Sequence, residues 1–321
     1  MSSGLYQRKN KYIFFVFEQE ILHLYVVILT TYILNQKSKN MINRFLLFCS
    51  LIVSFSLGIH AQSELTLKNN MMFTDVIISH NGTSHQVQTL IDTGASVCMI
   101  DSTYAVDSCN IILPESNATI GNTFGKRIKA VDINLDSISL GGFSYSTIRC
   151  FVIDLKSKFQ QYTPNFILGG DFLKREIWEF NLKEKYMAKF ERQKKNIQSI
   201  IKWKNHDDYK DAFLNSIYLN GKIAGKKARI LFDTGYQRNI IPDNFGIIPN
   251  KEIEVTCGDI ANQLAKEKTG LCENIDVEID KYKTSLDFRF KNTKYPRMNS
   301  FLFKEKDFAL DYKKKCIYIC K

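Results

Sequence analysis

Beyond residue 62, apolar and polar positions alternate with a period near two, the pattern of half-buried strands. Val76-Ile-Ile78 leads through Asn81-Gly82 to Val87-Gln-Thr-Leu-Ile91. Asn-Gly between two apolar runs predicts a β-hairpin, because both residues tolerate positive φ. A second stretch is written alike: Ile217-Tyr-Leu219, Asn220-Gly221, then Ala228-Arg-Ile-Leu-Phe232. Short strands are predicted at Val131-Asp-Ile-Asn-Leu135, Ser137-Ile-Ser-Leu140 and 148–153, with partners at 276–279 and 285–290. Each half closes on a predicted hairpin, 178–190 and 308–319, and helix is expected only at 171–175 and 259–266. The fold class is therefore all-β.

The two halves are copies. Thr89-Leu-Ile-Asp-Thr-Gly-Ala-Ser-Val-Cys-Met-Ile100 resembles Ile230-Leu-Phe-Asp-Thr-Gly-Tyr-Gln-Arg-Asn-Ile-Ile241 at a spacing of 141. Thr119-Ile-Gly-Asn122 matches Thr256-Cys-Gly-Asp259 at 137, and Phe180–Met187 matches Leu310–Ile317 at 130. Three matches in one order, with shrinking spacings, indicate a duplication that lost residues in its second copy. The expected organisation is a first lobe at 62–190, a polar connector at 191–211, and a second, degenerate lobe at 212–321.

The N-terminal region stands outside this pattern. Met41-Ile-Asn-Arg44, an apolar run to Ile59 and then His60-Ala61 read as a signal peptide over 41–61, so the protein is expected to be secreted or periplasmic. Residues 1–40 are either an extension upstream of a start at Met41 or a membrane segment. Cleavage after Ala61 would leave no stable membrane anchor. Export permits disulfides, yet seven cysteines remain beyond the leader, so at least one thiol is expected free or paired between chains.

Charge adds little. The formal net charge is +11, but the excess is spread along the chain and its longest run is Lys313-Lys314-Lys315. A solvated surface is expected, with no nucleic acid as partner. His80 and His85 flank a turn without ligands at metal spacing, no Gly-x-Ser-x-Gly element occurs, and Cys98 falls in a buried strand.

The chemistry lies in Asp-Thr-Gly. At usual residue frequencies the triplet would arise by chance about 0.06 times in such a chain. It occurs twice, each time between apolar strands. A carboxylate on a tight loop between buried strands is partly desolvated, which raises its pKa. Glycine lets backbone N–H groups approach it, and Thr offers a hydroxyl that can tie one loop to another. Two such loops face to face would share one proton between two carboxylates. One carboxylate then draws a proton from water while the other polarises a peptide carbonyl, with no metal or cofactor required.

Leu90-Ile-Asp-Thr-Gly-Ala-Ser96, followed by Phe166-Ile-Leu-Gly-Gly-Asp-Phe-Leu173, resembles the retropepsin family of aspartic proteases. The resemblance covers 70–190 well and 212–321 more weakly. It implies two tandem β-barrel lobes with a cleft between them and catalytic Asp92 and Asp233. The loops Thr93, Gly94, Ala95, Ser96 and Thr234, Gly235, Tyr236 would support them, with Ile167-Leu168-Gly169 crossing beside Asp92. A flap is implied at 119–126, with Ile120, Gly121, Asn122, Phe124 and Gly125 at or near its turn. Retropepsins dimerise to supply two Asp residues, whereas pepsin-like enzymes hold both in one chain, which a tandem copy resembles.

The second copy departs from the pattern. Tyr236 stands where a small residue is usual. The Ile-Leu-Gly-Gly-Asp-Phe-Leu segment is expected to be deleted, with Phe303 in place of its glycine. Three readings follow: a monomeric endopeptidase using Asp92 and Asp233, a homodimeric protease using Asp92 twice, or a non-catalytic peptide binder. Peptide or protein is the expected partner in each.

Overall fold

Trp178 to Phe180 of one half and Phe308 to Leu310 of the other pair strand to strand, and the two halves fold around that contact. The computed structural model describes residues 62–116, 118–121, 127–156, 164–204, 215–259 and 262–321. The leader-like segment lies outside them. Residues 61–321 form one unit.

The first half contains β1 (Gln62–Glu64), β2 (Thr66–Lys68), β3 (Met71–His80), β4 (Thr83–Ile91), β5 (Cys98–Asp101), β6 (Thr119–Gly121), β7 (Arg127–Lys129), β8 (Val131–Leu140), β9 (Phe143–Ile153) and β10 (Phe166–Leu168). One helical turn, α1 (Gly170–Leu173), leads to the hairpin β11 (Trp178–Asn181) and β12 (Tyr186–Lys189). Then come β13 (Ile197–Lys204), β14 (Ile217–Ile223), β15 (Lys226–Phe232), β16 (Asn239–Pro242), β17 (Lys251–Asp259), β18 (Asn262–Ile279), β19 (Tyr282–Lys291), β20 (Arg297–Met298), β21 (Phe308–Asp311) and β22 (Cys316–Cys320).

The first lobe is a sheet in the order β2-β3-β4-β10-β5-β9-β8, with β6-β7 as a separate hairpin. The second repeats its inner logic: β20 runs parallel to β15 and antiparallel to β16, as β10 does to β4 and β5. The all-β reading with two tandem retropepsin-like lobes holds.

Alternation explains the strands. In β8 Ile133, Leu135, Ile138 and Leu140 point inward, while in β4 Val87 does so ahead of the buried end of the strand. The hairpin at Asn81-Gly82 forms as expected, with φ of 50° and 76°. Asn220-Gly221, in contrast, makes no turn. Those residues pair with Arg229 and Ala228 inside the β14–β15 ladder, and the turn falls at Ala224-Gly225, with φ of 48° and 76°. Gly221 serves close approach instead: a Cβ there would lie 2.6 Å from the carbonyl oxygen of Glu278. The helix expected at 259–266 is also corrected. Asp259 ends β17, and 262–266 begin β18, with Thr256 opposite Lys266. Pairing across a long hairpin overrides the local preference for helix.

The stretch expected to be a connector contributes β13. It pairs with β22 as β1 pairs with β12, so each half supplies three strands to a common sheet, β1-β12-β11-β21-β22-β13. Side chains also tie the halves together. Asn70 Nδ2 donates to the Gln237 carbonyl at 3.1 Å, and Asn215 Nδ2 to the Ser96 carbonyl at 2.9 Å. The described cysteines Cys98, Cys109, Cys150, Cys272, Cys316 and Cys320 are free thiols, all buried, and Cys98 packs in the core as expected.

The segment thought deleted is present. Leu231 pairs with Arg297 and Phe232 with Met298, as Leu90 pairs with Ile167 and Ile91 with Leu168. Pro296–Phe303 therefore corresponds to Phe166–Leu173 at the same spacing of 130 as the final hairpins. The shortening lies earlier, in the link between β19 and β20. Phe303 corresponds to Leu173, not to a glycine, and packs in the core.

At the glycine's own position stands Asn299. Gly169 needs to be glycine, since a Cβ there would fall inside contact distance of the Val97 backbone carbonyl. The buried Asn299 is held by hydrogen bonds instead: its Nδ2 donates to the Gln237 carbonyl and its Oδ1 accepts from Phe301 N, both at 3.1 Å. Gly169→Ala is thus expected to destabilise the protein by about 1–3 kcal/mol through overpacking. Chemical denaturation measures this; an unchanged midpoint would remove the argument from close approach.

Candidate active site

Asp92 follows β4 and Asp233 follows β15, each where a buried strand ends in a tight loop. Asp92 N donates to the Leu168 carbonyl at 3.1 Å, and Asp233 N to the Met298 carbonyl at 2.8 Å. The parallel neighbours β10 and β20 thereby hold the two aspartates at equivalent depth.

The threonines lock one loop onto the other. Thr93 Oγ1 donates to the Phe232 carbonyl at 2.8 Å and accepts from Thr234 N at 3.1 Å. Thr234 Oγ1 donates to the Ile91 carbonyl at 2.7 Å and accepts from Thr93 N at 3.0 Å. Both side chains are fully buried.

This lock brings the carboxylates face to face. A Cβ on Gly94 would lie 2.5 Å from Cγ of Asp233, and one on Gly235 closer still to Cγ of Asp92. Each acid thus occupies the space left by the other loop's glycine. Asp92 Oδ1 accepts from Gly94 N at 2.8 Å and Ala95 N at 3.1 Å, and Asp233 Oδ1 from Gly235 N at 3.1 Å. Burial first, and then the charge of Asp233, push the Asp92 carboxyl up to about 8. Two like charges this close cannot both ionise cheaply in a dry site.

The other expected residues take their places around this pair. Ala95 O and Ser96 O accept from Gly170 N and Asp171 N, seating α1 under the loop. Ile167 packs with Ala95, Leu90 and Met99 in a small apolar cluster. Ile120, in β6, packs against that same cluster, which sets the base of the β6–β7 hairpin beside the Asp92 loop. Gly121 closes β6, while Asn122, Phe124 and Gly125 lie outside the described residues.

Two participants were not foreseen. Arg297 Nη1 stands 3.1 Å from Asp233 Oδ2, with side chains only 10% and 8% exposed. Tyr236, which stands where a small residue is usual, lies under the Arg297 guanidinium, 4.5 Å from ring centroid to Cζ. The second is Tyr312, whose buried hydroxyl makes no hydrogen bond among the described residues and is raised by burial and by the charge of Asp92. Applying the 130-residue spacing of the final hairpins to Ile167, rather than searching for Gly, would have found Arg297.

Residues 76–172 match a family model described as aspartyl protease. No curated protein matches the chain. The match ends within α1, so it spans the first Asp-Thr-Gly loop and the strand that crosses it. Residues 76–172 are thus similar to the retropepsin-like aspartyl proteases, and the second half repeats that lobe around the same pair of loops.

Proposed function

We propose that the protein is an endopeptidase in which Asp92 and Asp233 of one chain form the catalytic dyad. The observation behind this reading is the reciprocal seating of each carboxylate over the opposite glycine. The ionised carboxylate takes a proton from water as the water oxygen attacks the peptide carbonyl carbon. The other carboxyl gives its proton to the carbonyl oxygen, and a gem-diol forms. The first group next passes its proton to the amide nitrogen, the C–N bond breaks, and a diol hydroxyl returns a proton to the second. Both acids end as they began.

A homodimer built on two Asp92 side chains is disfavoured because the place opposite Asp92 is already taken by Asp233. A purely binding role is disfavoured by the raised Asp92 carboxyl, which suits an acid working near neutrality. An exported location rests on the leader-like run at 41–61.

Cleavage of a peptide library from pH 3 to 8, combined with sedimentation analysis, tests the proposal. Cleavage by a monomer is expected. A folded protein that cuts nothing across the range would favour the binding role, and activity confined to a dimer would favour the homodimer.

A further inference from the structure

We propose that Arg297 is a positioning residue that fixes the negative charge of the dyad on Asp233 and its proton on Asp92, so that twofold-related acids take unequal roles. The inference rests on the dyad reading above.

The scaffold around the two acids is symmetric. Leu168 O and Met298 O receive equivalent backbone hydrogen bonds, the threonines exchange equivalent ones, and each carboxylate accepts from its own loop glycine. Two of the positions that break this symmetry bear on charge. Ile167 beside the Asp92 strand is replaced by Arg297 beside the Asp233 strand, and Ala95 is replaced by Tyr236. The first lobe thus has two apolar side chains in one cluster where the second has a guanidinium resting on a phenol. The two replacements depend on one another. An arginine at that depth needs an aromatic face or an anion, and here it has both.

The consequence is electrostatic. Asp233 meets a full positive charge at 3.1 Å in a site where both side chains are nearly buried. A cation at that distance favours the ionised form of the acid it touches. Asp92 receives two backbone N–H groups and faces the Asp233 charge. The single proton therefore rests on Asp92, which becomes the acid that polarises the carbonyl, and Asp233 becomes the base that takes the proton from water.

Other charged or titratable groups face this pair from every neighbouring element. Tyr218 in β14 lies near Arg297 and Asp233, and burial pushes its hydroxyl up to about 12. Tyr295 packs edge-on against Tyr218 at 5.7 Å, and Arg229 in β15 covers the Tyr218 ring at 5.0 Å. Tyr236 lies on the Asp233 loop, and Tyr312 faces Asp92 from the β21–β22 turn. Among the described residues Arg297 stands at ion-pair distance from the dyad, 3.1 Å from Asp233 Oδ2.

The test compares wild type, Arg297→Lys and Arg297→Gln in two measurements. The first is the pH profile of kcat/KM. Without the cation the dyad monoanion takes up its second proton at higher pH, so the acid limb of Arg297→Gln is expected to move up by about one unit, a tenfold loss at its foot. Arg297→Lys keeps the wild-type limb. A merely structural role would lower the whole profile evenly, and that result overturns the proposal.

The second measurement needs no turnover. Carboxyl 13C resonances of labelled Asp are recorded at pH 6 and assigned with Asp92→Asn and Asp233→Asn. Wild type is expected to show Asp92 as acid and Asp233 as carboxylate, and Arg297→Gln to bring the two resonances together. Equal resonances in wild type, or the opposite assignment, overturn the proposal whether or not Arg297→Gln folds. Unequal resonances in a protein that cuts no peptide would sustain the charge assignment and sink the protease reading instead.

Discussion

Asp92→Asn is expected to lower kcat by about 10³-fold or more, on the scale of general acid–base catalysis. Asn keeps the shape and the Oδ1 contacts with Gly94 and Ala95, so the loop stays in place. What goes is the proton that must reach the carbonyl oxygen. Asp233→Asn removes the other half and is expected to cost as much. Residual activity within tenfold of wild type in either variant would sink the dyad.

The same substitution has an opposite effect on stability. In the folded protein Asp92 holds its proton up to about pH 8, whereas the unfolded chain releases it near the ordinary carboxylate value of 3.8. Between those values folding takes up a proton. The stability contributed by this group therefore falls as pH rises through the window. Asn titrates nothing there. Asp92→Asn should melt close to wild type at pH 4 and progressively above it towards pH 8. Parallel melting curves across that range would show that burial does not hold the proton.

Thr93→Val is expected to destabilise the protein by roughly 2–6 kcal/mol, because it leaves two buried groups, Phe232 O and Thr234 N, without their partner, each at about 1–3 kcal/mol. For a protein of this size that amounts to a melting point lower by some 6 °C or more. Valine matches threonine in shape, so the effect reports the hydroxyl alone. Thr234→Val should do the same for Ile91 O and Thr93 N, and the double variant should lose less than the sum, since the two hydroxyls share one network. Thr93→Ser should recover most of the loss. A melting point within 2 °C of wild type in Thr93→Val would show that burial of the loops, not the exchange of hydrogen bonds, joins the lobes.

The sequence was most readable where backbone geometry demands a residue type. Asp-Thr-Gly is such a place: Asp needs the opposite loop to have no Cβ, and Thr needs a hydroxyl with a branched body to fill the space between strands. Asn81-Gly82 is another, because a two-residue hairpin requires positive φ twice. The second lobe was harder to read because its solutions differ. Ala224-Gly225 replaced the Asn-Gly turn, and Gly221 took on a packing role that looks identical in sequence. Asn299 solves by side-chain hydrogen bonds what Gly169 solves by absence of a side chain. A search for glycine therefore found nothing, although the strand was there. The strand β13 was hidden by its polar surroundings, since an eight-residue stretch with only Ile201 and Trp203 buried resembles a linker.

The strand pair that joins the halves also decides which partner a lobe accepts. Trp178 lies opposite Leu310, Phe180 opposite Phe308, and Glu179 opposite Ala309, so the centre of the pairing falls between a buried acid and an alanine. Antiparallel pairing about such a centre is self-complementary, which would allow a first lobe to adopt a second first lobe in place of its own second half. That mispairing would set Glu179 directly against Glu179. In the native arrangement one Glu179 is satisfied by Tyr186 and Lys195, and like charges placed opposite each other repel. A nicked or truncated chain should therefore seek its missing half rather than its own likeness.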